Sequence, residues 1–214
     1  MRKTLKDFAA ARGLSLTEEQ LELLEKFVML VWQKKDFLNL TSAADTNEVF
    51  TRHICDGLAG AAKINALAQE RGLDAFEAAD AGAGAGYIGI VTAAVLPHSR
   101  VTLVESIEKR CAFMNWALLN LGIKNARVKN ARLGQGTDFA FDFMTERAMG
   151  KLEDILGVCT GALKSGGTFI AYQAGEEESR RAPAAKYGAA FAGTEAYTLP
   201  QDDKTRYLAL FTKN

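Results

Sequence analysis

The 214-residue chain has no apolar run long enough to cross a bilayer. Its opening Met1-Arg2-Lys3-Thr4-Leu5 turns polar before a signal-peptide core could form. No membrane partner is expected, and the location read from these absences is cytoplasmic. Cysteine is scarce: Cys55, Cys111 and Cys159 lie too far apart to suggest a disulfide framework or a metal cluster, so inert thiols and no metal are expected. An excess of one charge is also missing. Lys+Arg and Asp+Glu are both 26, so any nucleic-acid contact must rest on a local patch rather than on net charge. Histidine is limited to His53 and His98, and no general base is evident. His98 follows Pro97 in a loop and reads as a surface residue, while His53, between Arg52 and Asp56, suits a structural polar role as well as a functional one.

What is present is an ordinary globular composition, 48% hydrophobic and 24% charged, in a length that suits one domain with a helical extension. Thr17-Glu18-Glu19-Gln20 forms a capping box, with Leu16 and Leu21 placed as a hydrophobic staple. Leu21, Leu24, Phe27, Val28 and Val31 then recur at helical spacing to about Phe37. Asn39-Leu40-Thr41-Ser42 breaks the pattern, and a second helix is predicted from about Asn47 to Ile64, capped by Thr46.

From residue 75 strands and helices alternate. Strands are predicted at 76–80, 101–105, 127–129, 141–144 and 168–172, with helices at 87–96, 107–121 (capped by Ser106 and ended by Gly122), 152–163 and 176–187. Two further strands, 196–199 and 207–211, flank the turn at Gln201–Lys204. The fold class is therefore α/β: a doubly wound, mostly parallel seven-stranded sheet with antiparallel character at one edge. Residues 1–70 are expected as an N-terminal helical extension and 71–214 as a ligand-binding α/β domain, packed as one unit.

Ligands of open α/β sheets bind beyond the C-terminal strand ends, where strand order switches. The glycine-rich turn Ala81–Gly86 follows the first strand at that place, and glycine lets backbone approach a ligand closely. Glu105 ends the second strand, where a carboxylate can accept both ribose hydroxyls of an adenosine. Asp80 can hold the loop or a ligand amino group. Two cofactors fit. Gly84-Ala85-Gly86-Tyr87-Ile88-Gly89 matches the dinucleotide fingerprint, with Glu105 at about the right distance. Against it, Asp80 occupies a place where dinucleotide sites keep an apolar residue, and Ala81 and Gly82 precede the fingerprint. Asp80-Ala81-Gly82-Ala83-Gly84-Ala85-Gly86 instead resembles the Asp-x-Gly-x-Gly-x-Gly loop of S-adenosylmethionine methyltransferases.

After the fourth strand stand Thr145-Glu146-Arg147-Ala148, without the Asp/Asn-Pro-Pro-aromatic motif of exocyclic-amine methylases. Nor does a Pro-Cys dipeptide supply a thiol for carbon methylation. The chemistry that needs no base is attack by a free lone pair, such as guanine N7, on the sulfonium methyl, with catalysis mostly by alignment. Leu38-Asn39-Leu40-Thr41-Ser42, Arg52-His53-Ile54-Cys55-Asp56, the glycine loop and Ser106-Ile107-Glu108-Lys109-Arg110, in order, resemble the bacterial ribosomal small subunit methyltransferase G family, formerly glucose-inhibited division protein B.

The resemblance, which runs from about Leu16 to the C-terminus, implies methylation of guanine N7 in small-subunit ribosomal RNA, free or in the assembled subunit, using S-adenosylmethionine; a monomer is expected. It implies that Gly82 and Tyr87, with Gly84 and Gly86, frame the cofactor, and that Leu133 and Gly134 touch the adenine through backbone groups. It implies that Arg147 faces the cofactor and the incoming base, and that Arg132 and Arg206 line the substrate side, Arg132 with Arg147 in the catalytic set. Gln173 is also on the RNA side, where the family has lysine. Ala85 and Ile88 replace the family's loop prolines, and Gly134 a usual carboxylate. Arg127, Lys129, Arg132, Arg147 and Lys151 are expected to form a basic rim at the ends of strands three and four. The competing readings are an RNA-binding protein of weak or no catalysis and a dinucleotide-dependent reductase.

Overall fold

The computed structural model describes residues 1–135, 139–176 and 182–214. Among them, β1 (Phe76–Ala81), β2 (Ser99–Glu105), β3 (Ala126–Asn130), β4 (Phe141–Glu146), β5 (Leu163–Gln173), β6 (Ala189–Thr198) and β7 (Thr205–Lys213) form one sheet in the order β3-β2-β1-β4-β5-β7-β6. The pairings from β3 through β5 are parallel, whereas β7 is antiparallel to both β5 and β6. Chain order turns back at β1, between β2 and β4, so their C-terminal ends form the switch point.

The central strands are apolar on both sides because both faces are covered. Successive residues alternate between two cores. Phe143 and Ile170 face the cluster built with helices α1 (Arg2–Ala10), α2 (Glu18–Leu38), α4 (Cys55–Glu70), α5 (Gly89–Val95) and α6 (Glu108–Leu121). Met144, Phe169 and Ala171 face the cluster built with α7 (Leu152–Gly161).

The N-terminal helices belong to the first of these cores. The capping box forms, with the Gln20 amide donating to Thr17 Oγ1 at 3.2 Å and the Thr17 amide to Gln20 Oε1 at 3.0 Å. Gln20 Nε2 also donates to the Val95 carbonyl at 3.1 Å, tying the start of α2 to the end of α5. Leu21, Leu24, Phe27, Val28 and Val31 are buried, each worth roughly 1.5–3 kcal/mol. Asn39, left-handed at φ 51°, ends α2 and turns the chain toward the switch point. No helix among the described residues is long and apolar enough to cross a membrane.

A separate helix precedes Thr17: α1 has no side-chain cap to announce it, yet buries Leu5, Phe8 and Ala9. Three sequence expectations are corrected. The helix expected from Asn47 is capped by Asp45, not Thr46, with Asp45 Oδ1 accepting from the Glu48 amide at 2.8 Å. It runs as α3 (Thr46–Glu48), a π-helical turn (Val49–Ile54) and α4 to Glu70. Ser106 does not cap α6; the Glu105 carboxylate accepts the Ser106 and Ile107 amides at 2.8 and 2.9 Å instead. Of the helix expected over 176–187, residues 177–181 lie outside the described residues, and Ala184–Tyr187 is a 3-10 turn.

Candidate functional site

The site begins with the loop after β1. Gly82, Gly84 and Gly86 have φ of 63°, 60° and 83°, a region that suits glycine. Space is tight as well: a Cβ would lie 2.7 Å from Ile90 Cδ1 at Gly86 and 3.0 Å from Met149 Cγ at Gly82, so a side chain at either would have to displace its neighbour. Asp80 fixes the far end of the turn. Its Oδ2 accepts the Gly89 amide at 2.8 Å, at the first turn of α5, and the Thr145 hydroxyl lies 3.4 Å from Oδ1. Burial pushes the Asp80 carboxyl up to about 7, opposed by the Gly89 amide and the positive charge of Arg147. Of the two roles considered for Asp80, holding the loop is the one these contacts display.

Glu105 closes the other side. Besides the Ser106 and Ile107 amides, it accepts the Gly84 amide at 2.9 Å through Oε2. Arg110 Nη1 stands 3.8 Å from the same oxygen. The second strand's carboxylate thus supports the glycine loop directly. Glu146, at the end of β4, is a third buried carboxylate; it accepts the Met149 amide, and burial pushes it up to about 7.

Asp80 and Arg110 border a cleft of about 210 Å³ lined also by Asn39, His53, Gly82, Gly84, Tyr87 and Arg147, among others, with Glu105 bonded to its wall at the Gly84 amide. The His53 ring stacks on Tyr87 with centroids 4.3 Å apart and planes 17° apart. His53 Nε2 lies 2.9 Å from Thr41 Oγ1, and buried Nδ1 finds no hydrogen-bond partner among the described residues. Burial, then the charges of Arg147, Arg52 and Arg206, push His53 down to about 3, so the ring is neutral at physiological pH. The π-helical turn carries Arg52 and His53, and such turns concentrate at functional sites.

Arg147 stands on the wall between this cleft and a second one. Its Nη1 donates to Asp56 Oδ2 at 2.7 Å, and its guanidinium carbon is 5.6 Å from the Tyr87 ring centroid. Ala148 follows at φ 64°, a left-handed conformation that costs a non-glycine residue about 1–2 kcal/mol. The second cleft, about 600 Å³, is lined by Arg52, Asp56, Arg147, Tyr172, Gln173 and Arg206, among others. Arg206 pairs with Asp202 at 2.8 Å, and its buried Nε has no partner among the described residues.

The structure therefore brings together Asp80, Gly82, Gly84, Tyr87 and Arg147 at the first cleft, with Glu105 behind Gly84, and places Gln173 and Arg206 with Arg147 around the second cleft; Gly86 is in the same loop but not in the lining. Arg132 joins neither lining and is exposed. Leu133 packs on the α7 side, and Gly134 is exposed with a φ of 82°, its missing Cβ 3.1 Å from Val158 Cγ1. The expected basic rim loses Arg127, which lies near the start of β3 and donates to Thr102 Oγ1 at 3.1 Å. Lys129 and Lys151 are exposed near the C-terminal ends of β3 and β4. Asp56 and Glu146 were missed by sequence reasoning. Asp56 had a signal, since it follows His53 by three residues and so shares its helical face.

The comparisons with known proteins agree with this geometry. The family model for rRNA small subunit methyltransferase G matches residues 20–207. A ribosomal RNA small subunit methyltransferase G of Limosilactobacillus reuteri (strain DSM 20016) is 30% identical over 214 residues, covering 95% of this chain and 87% of the relative. The protein of the same name from Limosilactobacillus fermentum is 32% identical over 198 residues, covering 88% and 79%. Among solved structures, the ribosomal protein L11 methylase of Lactobacillus delbrueckii subsp. bulgaricus superposes with a TM-score of 0.55 at 16% identity, covering 73% of this chain and 80% of that one. At that identity the likeness is one of fold.

Proposed function

Because the chain belongs to the rRNA small subunit methyltransferase G family, we propose that it transfers the methyl group of S-adenosylmethionine to guanine N7 in small-subunit ribosomal RNA. The observation that carries this reading is the pair of clefts meeting at Arg147 and Ala148, one glycine-walled beside buried carboxylates, the other rich in arginine. The first fits the cofactor's chemistry. Its glycines let backbone approach a ligand, Asp80 is a buried carboxyl in the lining that a neighbouring cation would ionise, and His53 Nδ1 is an unused polar atom in the wall.

S-adenosylmethionine supplies an activated methyl on a sulfonium. Asp80 would face its positive end, Glu105 would accept from the ribose, and the backbone of Leu133 and Gly134 would border the adenine. In the second cleft Arg52, Arg206 and Lys204 hold phosphate, and Gln173 lies beside the nucleotide. Arg147 fixes the guanine edge or a neighbouring phosphate. A donor aimed at N7 would block the reacting lone pair, so its N–H groups grip O6 or phosphate instead. N7 carries no proton, which suits a site whose histidine is held neutral far below its ordinary range. Residues 1–70 serve as one wall of both clefts and pack as one unit with 71–214. A ribosomal RNA substrate places the work in the cytoplasm, by a monomer without metal.

Nucleoside mass spectrometry of small-subunit RNA, from cells with and without the gene, tests the reading. Loss of one 7-methylguanosine, restored by the purified protein with S-adenosylmethionine, is expected. An unchanged modification profile would overturn it.

A further inference from the structure

Arg147 is shared by both clefts, so whatever fixes its guanidinium fixes their alignment. Asp56, in the first turn of α4, is 3% exposed, and each of its oxygens has one partner. Arg147 Nη1 donates to Oδ2 at 2.7 Å, and the Tyr197 hydroxyl, from β6, donates to Oδ1 at 2.7 Å. Burial and the Asp56 charge push the Tyr197 phenol up, so it remains a donor at any working pH. The Asp56 carbonyl accepts the Tyr172 hydroxyl, from β5, at 2.8 Å. That approach requires Gly60, where a Cβ would sit 2.1 Å from the Tyr172 hydroxyl oxygen. The start of α4 is thus tied to two strands beyond the switch point, and the carboxylate is held from two sides.

A buried carboxylate with a guanidinium is weak evidence for stability, because desolvation offsets the attraction. It is a precise way to hold a direction. One N–H of Arg147 is spent on Asp56, which leaves other N–H groups of its planar fork for a ligand. We propose that Asp56, braced by Tyr197, is a positioning residue for methyl transfer: it orients Arg147 at the junction of the two clefts so that the remaining guanidinium donors meet the RNA. The inference rests on the role given to Arg147 above.

A double-mutant cycle on single-turnover methyl transfer to small-subunit RNA separates the two. Arg147→Ala is expected to lose about a hundredfold through lost alignment. Asp56→Asn keeps the shape and one acceptor for Tyr197 but turns an amide toward the guanidinium, and is expected to lose turnover to a similar degree with the KM for S-adenosylmethionine unchanged. Because Asp56 acts through Arg147, the double variant should be no worse than Arg147→Ala within about threefold. Losses that multiply would overturn the inference, as would wild-type turnover in Asp56→Asn beside an impaired Arg147→Ala. Wild-type turnover in Arg147→Ala would overturn the functional reading and this inference with it. Should Asp56→Asn not fold, Tyr197→Phe removes a single hydroxyl from the same carboxylate. A roughly tenfold loss, absent in the Arg147→Ala background, is then expected, and an unchanged rate overturns the proposal.

Discussion

Replacing Glu105 by glutamine is expected to perturb the cofactor and the loop together, and the contacts already made by the carboxylate set the size of each effect. An ionised carboxylate offers about four lone-pair positions. Three are taken here by the amides of Gly84, Ser106 and Ile107. One position is left for a ribose that brings two hydroxyls, so binding both requires the Gly84 amide to share or release Oε2. Glutamine keeps one oxygen and presents an NH2 where the second was. The lost charged acceptor removes about 1.5–3 kcal/mol from the ribose contact, which is roughly a 10–100-fold weaker Kd. The amide left facing a donor costs about 2 kcal/mol, lowering Tm by roughly 4–8 °C for a chain of this length. Calorimetry with S-adenosylmethionine and a thermal melt read the two effects separately. Affinity within twofold of wild type, or NAD binding tighter than S-adenosylmethionine, would refute the assignment. Full affinity with a lowered Tm would leave Glu105 as a loop support alone.

Asp80 should make both stability and cofactor affinity depend on pH. Its folded carboxyl is pushed up to about 7, against about 3.9 when unfolded, so its contribution to stability is present at acid pH and lost as pH rises to about 7. The positive end of S-adenosylmethionine favours the ionised form, so Kd should tighten as pH rises from 5.5 to 7.5 and level in Asp80→Asn; a flat wild-type profile would refute this. RNA affinity should fall with salt at a log–log slope of about −1.5 to −2, for two or three phosphates held around the second cleft, and a salt-independent affinity would point to a protein or small-molecule partner. His53→Ala should reduce turnover through loss of the ring stacked on Tyr87, without changing the pH dependence at saturating cofactor. If it abolished a kinetic pKa near neutrality, a general base would be at work and the N7 assignment would give way to a group that must lose a proton.

The parts of the fold legible in the sequence are those set by local chemistry. Thr17 and Gln20 form the capping box that their spacing predicts, and the glycines after β1 adopt the positive φ that their side chains' absence allows. The antiparallel β6–β7 pair follows from two short runs across the turn at residues 201–204. What escaped are the places where one side chain answers for another. Ser106 has the residue type of a cap, but α6 starts at Glu108 without a side-chain cap, and Glu105, one position before Ser106, accepts the Ser106 and Ile107 amides that precede the helix. Thr46 is the first helical residue rather than the cap, because the chain turns one position earlier and the Asp45 carboxylate takes the Glu48 amide.

Basic residues carry the least information about direction. Arg127 and Lys129 are two positions apart on β3, yet Arg127 turns back to Thr102 while Lys129 lies toward the switch point. Arg147 was singled out by its place after β4, but its orientation was not legible. That depends on Asp56, 91 residues earlier, and on Tyr197, 50 residues later by their numbering, brought together only when α4 packs across the strand ends. The π-helical turn joins these two levels of description. Sequence periodicity treats residues 47–64 as one helix, whereas the wider turn at 49–54 alters which face His53 and Asp56 present relative to the helix before them. A site whose chemistry is alignment is therefore written mostly in such long-range contacts, because alignment needs few special residue types and many fixed distances.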